Sequence, residues 1–426
     1  MSPFDLQRDA FGRWVLTMPD GTRYVPVTAL RAYPVSAPDA GVALMDADGR
    51  EIVWIDELAQ LEAPLRASVV QALNEREFLP EILQLTDVSS FATPSTWSVV
   101  TDRGVTQFLL KGEEDIRRLT GTVLLINDAN GVQFMIRDLA AMDRVSSPTL
   151  SPNGRMVVFA KRVVDLPANK SSTSLWVEDL FARDAAPPKR LTPEGWNVNS
   201  PAFAPDGKTV YFLSGKSGSS QLYAIPATGG TPRQLTDVPA DVGGFQISPD
   251  GKRVAFNTEA FVDCGTDLAC TKQRLDKAGE RKSTGQVFDR MFIRHWDAWN
   301  DGRLNRVFVA ALPPSGKPAV ARATLVGGDV VGDVPSRPFG DSTEYTWAPN
   351  GKTLVLSARK ADRAEPWSTN FDLYQVNADG SGKARNLTAD NPAWDTGAVF
   401  ARNGQKLFYR AMKRPGFEAD RFALME

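Results

Sequence analysis

A single histidine, His295, serves all 426 residues, so a Ser-His-Asp relay has one imidazole to draw on and a multi-histidine metal site is excluded. It stands in the string MFIRHWDAWNDG (291–302), where Arg294, His295, Trp296, Asp297, Trp299 and Asp301 set aromatic faces among charged groups. Flat rings beside a few polar groups suit a loop lining the mouth of a peptide site. A plug that packs its two Trp rings on the fold is the plainer reading of the same residues. The two cysteines, Cys264 and Cys270, lie six apart in VDCGTDLACTK, a spacing that permits a small disulfide or two free thiols. A nucleophile elbow needs G-x-S-x-G, and the nearest string, GKSGSS (215–220), lacks the final glycine. With no Gly-rich phosphate loop and no metal-ligand spacing, neither a cofactor nor a metal is expected.

The bulk properties narrow the classes further. Lys+Arg is 49 and Asp+Glu 51, so a net charge of −2 gives no general attraction to nucleic acid or anionic membranes. No apolar run approaches the roughly 18–20 residues of a membrane span. The opening MSPFDLQRDAFGRW has acidic residues by position five and no apolar h-region, which as written points to the cytoplasm.

The elements that must position the 291–302 string repeat themselves. LSPNGRMVVFAKR (150–162) returns as FAPDGKTVYFLS (203–214), ISPDGKRVAFN (247–257), WAPNGKTLVLSA (347–358) and, degraded, FARNGQKLFYRA (400–411). Each copy sets a glycine turn between two β-prone runs, the chemistry of a tight hairpin. A third strand follows in SLWVEDL, QLYAIPA, RVFVAAL and DLYQVNADG, and a fourth ends in "LT" at 189–192, 233–236 and 385–388. Four short strands per unit of about 40–50 residues is the period of a β-propeller blade. Blades are predicted near 148–192, 198–236, 243–326 and 340–388, with part of a fifth at 395–411. The third carries a long insertion that holds the cysteines and the 291–302 string. About four and a half blades leave the ring open, so self-association through its open edges is expected. The recurring Trp176, Trp196, Trp347, Trp367 and Trp394 read as packing rather than a ligand cage.

Residues 1–140 differ in texture. Short strands alternate with Pro/Asp/Gly turns, a helix is predicted over 65–79 with Leu65, Val69, Leu73 and Leu79 near one face, and a shorter one over 113–119. The expected fold is mainly β: a small α+β domain at 1–140, a joint at 141–147, and an incomplete, open β-propeller at 148–426.

On the phrases SPTLSPNGRMVVFAKR, RLTPEGWNVNSPAFAPDGKTVYFLS and MFIRHWDAWNDG, residues from about 145 to 426 resemble the N-terminal propeller of prolyl oligopeptidase family serine peptidases, notably bacterial dipeptidyl-peptidase and acylaminoacyl-peptidase-like members. The resemblance implies peptide gating or binding beside an α/β-hydrolase domain, often in periplasmic or secreted enzymes. None of that catalytic domain is written here, so these residues alone are expected not to be catalytic. FDLQRDAFGRWVL, SVVTDRGVTQFLLKGEEDIRRL and VLLINDANGVQFMIRDL resemble an uncharacterised bacterial domain of unknown function found near cyanophycin-linked transporter genes, which implies a cytosolic setting. The pairing reads as a recombined frame or a genuine fusion. A Tol-like binding module, or an accessory protein acting through residues 1–140, are the alternative functions.

Overall fold

The computed structural model describes residues 3–34, 37–76, 78–90, 92–119, 122–139, 142–165, 168–182, 187–285, 287–288, 293–295, 298–360 and 362–426. The chain divides into two compact units, Met1–Met142 and Asp143–Glu426. It is mainly β, a small α+β unit followed by an open series of propeller-type sheets.

The first unit is a succession of three-stranded antiparallel sheets in sequence order. Helix α1 (Ala63–Arg76) carries Pro64 in its first turn, where its missing N–H has no partner to lose. Leu65, Val69, Ala72 and Leu73, at helical spacing, pack with Leu16, Val42 and Leu44 into one core. Leu79 falls beyond the helix end. A second core gathers Ile82, Val99, Phe108, Ile126 and Phe134 from the later strands. The helix expected over 113–119 is instead a single 3-10 turn, Glu113–Asp115, running straight into a strand, Ile116–Arg118. Ile116 supplies the reason: it pairs with Ile126 and packs on the second core, and sheet pairing overrides the local helical pattern.

Among the described residues the second unit contains five sheets of three or four strands, besides a two-stranded hairpin in the third sheet's insertion. The first runs Arg144–Leu150, Met156–Asp165, Lys170–Asp179 and Lys189–Arg190. The second runs Val198–Phe203, Thr209–Ser214, Gln221–Pro226 and Arg233–Gln234. Gly244–Ile247, Arg253–Phe261, Arg303–Ala311 and Thr324–Leu325 form the third. Tyr345–Trp347, Thr353–Ala358, Asp372–Asn377 and Arg385–Asn386 form the fourth. The fifth holds Asp395–Phe400, Leu407–Ala411 and a third strand, Ala423–Met425, where the sequence suggested only two. Within each sheet the strands lie in sequence order, and among the described residues no strand pairs the fifth sheet with the first.

The repeated turn has one geometry throughout. Gly154, Gly207, Gly251, Gly351 and Gly404 all have φ between 66° and 71°, a left-handed conformation that costs glycine nothing and other residues more. Each glycine N–H donates to the carbonyl three residues back, at 2.8–2.9 Å. The "LT" ending is equally physical. Leu191, Leu235 and Leu387 each donate a backbone bond to the third strand, and the next residue's hydroxyl, on Thr192, Thr236 or Thr388, accepts the N–H of that strand's Leu175, Leu222 or Leu373. The third sheet lacks the threonine. There the buried Arg306 donates to the carbonyls of Gly327 and Gly328 instead.

Successive sheets stack face to face. Val158 and Leu175 of the first meet Val210 and Phe212 of the second. Tyr211 and Leu213, on the second sheet's other face, meet Phe256 and Phe308 of the third. The third meets the fourth through Val307, Tyr345 and Trp347, and the fourth meets the fifth through Val355, Leu373 and Ala398. Middle strands such as Thr209–Ser214 and Thr353–Ala358 are therefore buried on both faces, which is why they read as unbroken apolar runs.

Candidate functional site

The insertion in the third sheet leaves at Phe261 and returns at Arg303, and these two residues are register partners. Its first part is ordered by local chemistry. A 3-10 turn, Val262–Cys264, leads to helix α2 (Leu268–Gly279), and Asp267 caps α2 by accepting the N–H groups of Ala269 and Cys270. Cys264 and Cys270 form a disulfide with Cα atoms 5.7 Å apart, tying the turn to the first turn of the helix. Leu268 and Thr271 are buried, and the Thr271 hydroxyl accepts the Phe261 N–H at 3.2 Å. Arg274 reaches back to Asp263 at 2.5 Å. The repeat pattern gives only a long insertion here and no helix. The signal present was Asp267 ahead of a mixed apolar and charged run, an N-cap pattern.

Between α2, the third sheet and the loop after the second sheet lies a cavity of about 520 Å³. Its polar wall is set by Asn257, Glu259, Arg303 and Asn305 on paired strands, and α2 contributes Lys272 and Asp276. Glu259 binds Arg303 at 2.9 Å and Arg337 at 3.6 Å. Arg303 also holds Asp301 at 2.7 Å, and Arg337 holds Asp333 at 2.9 Å. Arg337 further donates to the Arg303 carbonyl, and Asp333 accepts the Asn305 N–H at 2.7 Å. Burial pulls the Arg337 guanidinium down, but Asp333, Glu259 and Asp301 outweigh it and its pKa is raised. The wall is thus a fixed ion-pair chain in which each charge has an opposite neighbour.

Behind that wall, Asn257 Oδ1 accepts the hydroxyl of Tyr345 at 3.2 Å. Tyr345 is buried in the fourth sheet, and desolvation drives its phenol pKa well above the ordinary value. Gly243 lies so close to Asn257 that a Cβ there falls 2.6 Å from Nδ2, so any larger residue displaces the Asn257 amide.

The sequence-derived cluster is divided by the structure. Arg294–His295 and Ala298–Trp299 form a two-stranded hairpin, with Arg294 paired to Trp299. The Arg294 guanidinium lies over the Trp299 ring, 5.4 Å from its centroid, and Trp299 stacks on Phe288 at 5.6 Å while remaining exposed. Trp296, Asp297 and the side chain of His295 lie outside the described residues. Asp301 alone joins the ion-pair chain of the cavity. Glu259, Arg303, Asp333 and Arg337 were missed by sequence reasoning, because they are scattered over three segments and only the register of the third sheet assembles them. Among the packing tryptophans, Trp347 is buried and Trp394 stacks on Phe371 at 4.5 Å, whereas Trp367 sits exposed on a 3-10 turn, Glu365–Trp367, and is not a packing residue. Among the described residues no group of three or more His, Cys, Asp or Glu is placed to hold a metal ion, and no helix is long and apolar enough to cross a membrane.

Comparison with known proteins separates the two units. Residues 24–152 match a domain of unknown function (DUF1854), a match that runs into the first strand of the second unit. Residues 175–260 match the dipeptidyl peptidase IV N-terminal region. The chain is 30% identical over 288 residues to dipeptidyl-peptidase 5 of Porphyromonas gingivalis, covering 66% of this chain and 39% of that one. It is 29% identical over 283 residues to the protein of the same name from Porphyromonas endodontalis, with the same coverage. A solved acylaminoacyl peptidase from Pyrococcus horikoshii superposes with a TM-score of 0.46 at 13% identity, covering 66% of this chain and 38% of that chain. The chain spans about two fifths of the length of the curated relatives it matches. Its second unit carries the sequence pattern of a dipeptidyl peptidase N-terminal region, and its first that of a domain of unknown function.

Proposed function

We propose that residues 143–426 act as the non-catalytic, peptide-handling propeller portion of a prolyl oligopeptidase family serine peptidase, joined to a domain of unknown function. The observation that carries this reading is the cavity beside the insertion. It is walled by the third sheet, α2 and the loop after the second sheet, and it holds fixed charges rather than a nucleophile and base. Its lining carries Asp241, Glu259 and Asp276 against Lys272 and Arg303, an excess of one carboxylate. Such a site favours a ligand with a cationic end, and the amino terminus of a peptide supplies one. Asn257 and Asn305 offer amide groups of the kind that orient a peptide backbone.

Fluorescence anisotropy with a labelled tetrapeptide tests the reading, comparing free and acetylated amino termini on the full chain. The expected result is saturable binding that weakens at least tenfold on acetylation and on Glu259→Gln. Equal binding of both peptides, or none at millimolar concentration, overturns it. Fluorogenic dipeptides are expected to show no turnover by these 426 residues, whose one imidazole belongs to His295 and which contain no nucleophile elbow.

A further inference from the structure

Helix α2 forms one wall of the cavity, yet it is buried only at its first turn. Leu268 and Thr271 are its buried residues, and residues 272–280 are exposed throughout. Residues 281–285 are exposed and without regular structure. No hydrogen bond or ion pair among the described residues ties the far end of α2 to the sheet. Arg274 does reach back to Asp263, but those side chains are 43% and 69% exposed, and an exposed ion pair adds little. A helix of twelve residues is marginal in water, because its first turn is costly to form. The nucleation of that turn therefore decides whether α2 exists.

The nucleus is built on the third sheet. The Thr266 hydroxyl donates to the Ala323 carbonyl at 3.0 Å and accepts the Leu325 N–H at 3.3 Å, which fixes the turn before α2 against the sheet's fourth strand. The Cys264–Cys270 bond ties that turn to the first turn of the helix. Closing so short a loop removes open conformations with which the helical turn otherwise competes. Thr271, Lys272, Leu275 and Asp276 carry α2 into the cavity, and the last three lie past its last buried residue. The cavity wall thus hangs from the end of the helix that the disulfide holds.

We propose that the Cys264–Cys270 bond is a redox switch on the cavity: oxidised, it holds α2 as a wall, and reduced by a dithiol, it lets α2 melt and the ligand leave. The ligand rests on the peptide-handling reading, whereas the wall does not. Cys264 is buried and Cys270 half-buried, so the reductant's thiolate attacks Sγ of Cys270. The S–S bond breaks, and Cys264 leaves as a thiolate and takes a proton. The reductant's second thiolate then attacks the mixed disulfide at the reductant's own sulfur, and Cys270 leaves and is protonated. Two electrons and two protons pass to the cysteines, and the reductant ends as a disulfide. The Glu259–Arg303 pair, on the sheet wall, takes no part.

The test uses the full chain, oxidised or treated with millimolar dithiothreitol. Alkylation with iodoacetamide and mass spectrometry report the state of both cysteines, and a bond that resists reduction in the folded chain overturns the proposal. Hydrogen exchange then reads the wall with no ligand present. Protection over Leu268–Gly279 is expected to fall about tenfold on reduction, while Arg253–Phe261 keeps its own. Unchanged protection of α2 overturns the proposal. Anisotropy with the labelled free-amine tetrapeptide reads the consequence, an affinity about tenfold weaker on reduction and restored on reoxidation. Lost protection with unchanged affinity overturns it too. The Cys264→Ala/Cys270→Ala variant is expected to bind as the reduced chain does, and a variant that still responds to dithiothreitol contradicts the switch. If the oxidised chain binds no peptide, the peptide-handling reading fails, and hydrogen exchange alone decides for or against the switch.

Discussion

The phenol of Tyr345, in the fourth sheet, crosses to the third and donates to Oδ1 of Asn257, which lines the cavity. One buried hydrogen bond thus couples the wall of the candidate site to the stacking of two sheets. Tyr345→Phe removes the donor and leaves the amide oxygen short of a partner, at a cost of about 1 kcal/mol. Urea denaturation is expected to show a lower midpoint at unchanged slope. Peptide binding is expected to weaken with it, because the Asn257 amide is then free to rotate.

Arg337 is the hub of the ion-pair chain, bridging Asp333, Glu259 and the carbonyl of Arg303. Arg337→Ala leaves two carboxylates facing each other across the vacated volume, at an expected cost of roughly 2 kcal/mol. Arg337→Lys retains the charge but not the planar fork of donors, and is expected to recover less than half of that loss. Thermal midpoints of the two variants beside the parent protein settle the order. A lysine variant as stable as the parent contradicts the hub role.

Asp395 provides a pH prediction. It is fully buried, its Oδ1 accepts the Asn391 amide at 2.8 Å, and its Oδ2 has no partner. Burial raises its pKa above 3.8, and the nearby Asp372 adds to the rise, against hydrogen bonds from Asn391 and Thr388 that lower it. A carboxyl whose folded pKa is raised contributes stability that is fully present below its unfolded pKa and lost as pH climbs through the folded value. Asp395→Asn, which stays neutral, is therefore expected to be more stable than the parent at pH 8. The difference is expected to vanish near pH 3. Stability curves that run parallel across that range contradict the assignment.

The Cys264–Cys270 disulfide closes a short loop at the start of α2. Closing so small a loop is worth roughly 2 kcal/mol in the chain-entropy account. The effect is expected to be local. In a Cys264→Ala/Cys270→Ala variant, hydrogen exchange is expected to lose protection over Leu268–Gly279, while the amides of Arg253–Phe261 keep theirs. Loss of protection throughout the third sheet means that the bond supports the whole sheet instead.

The repeated hairpins and the "LT" endings were legible in the sequence because they are local. A turn glycine, a hydroxyl next to a leucine and two alternating runs are all written within a dozen residues. The double burial of the middle strands comes from the structure, although the runs TVYFLS and TLVLSA carry it in their unbroken apolar texture. The ion-pair chain was not legible. Glu259, Arg303, Asp333 and Arg337 come together only once the third sheet has paired Phe261 with Arg303 and the loop after that sheet has folded back. Ile116 shows the same limit at small scale: its partner Ile126 is ten residues on, and that pairing rather than the helical texture of EEDIRRL decides its state. The third strand at Ala423–Met425 escaped notice because three residues carry too little pattern to announce a strand.

The register of Phe261 with Arg303 has a consequence for how this fold tolerates change. Paired residues on adjacent antiparallel strands have Cα atoms only about 5 Å apart, a gap that a tight reverse turn closes as well as any longer excursion. The segment between them is therefore a cassette: the sheet keeps its ladder whether the excursion is long or short. Excising it leaves Glu259 and Arg303 paired in an open trough, while α2, one entire wall of the cavity, departs with the cassette. One wall of the cavity can thus be exchanged by grafting at a single hairpin, with the stacked sheets serving as an unchanged chassis.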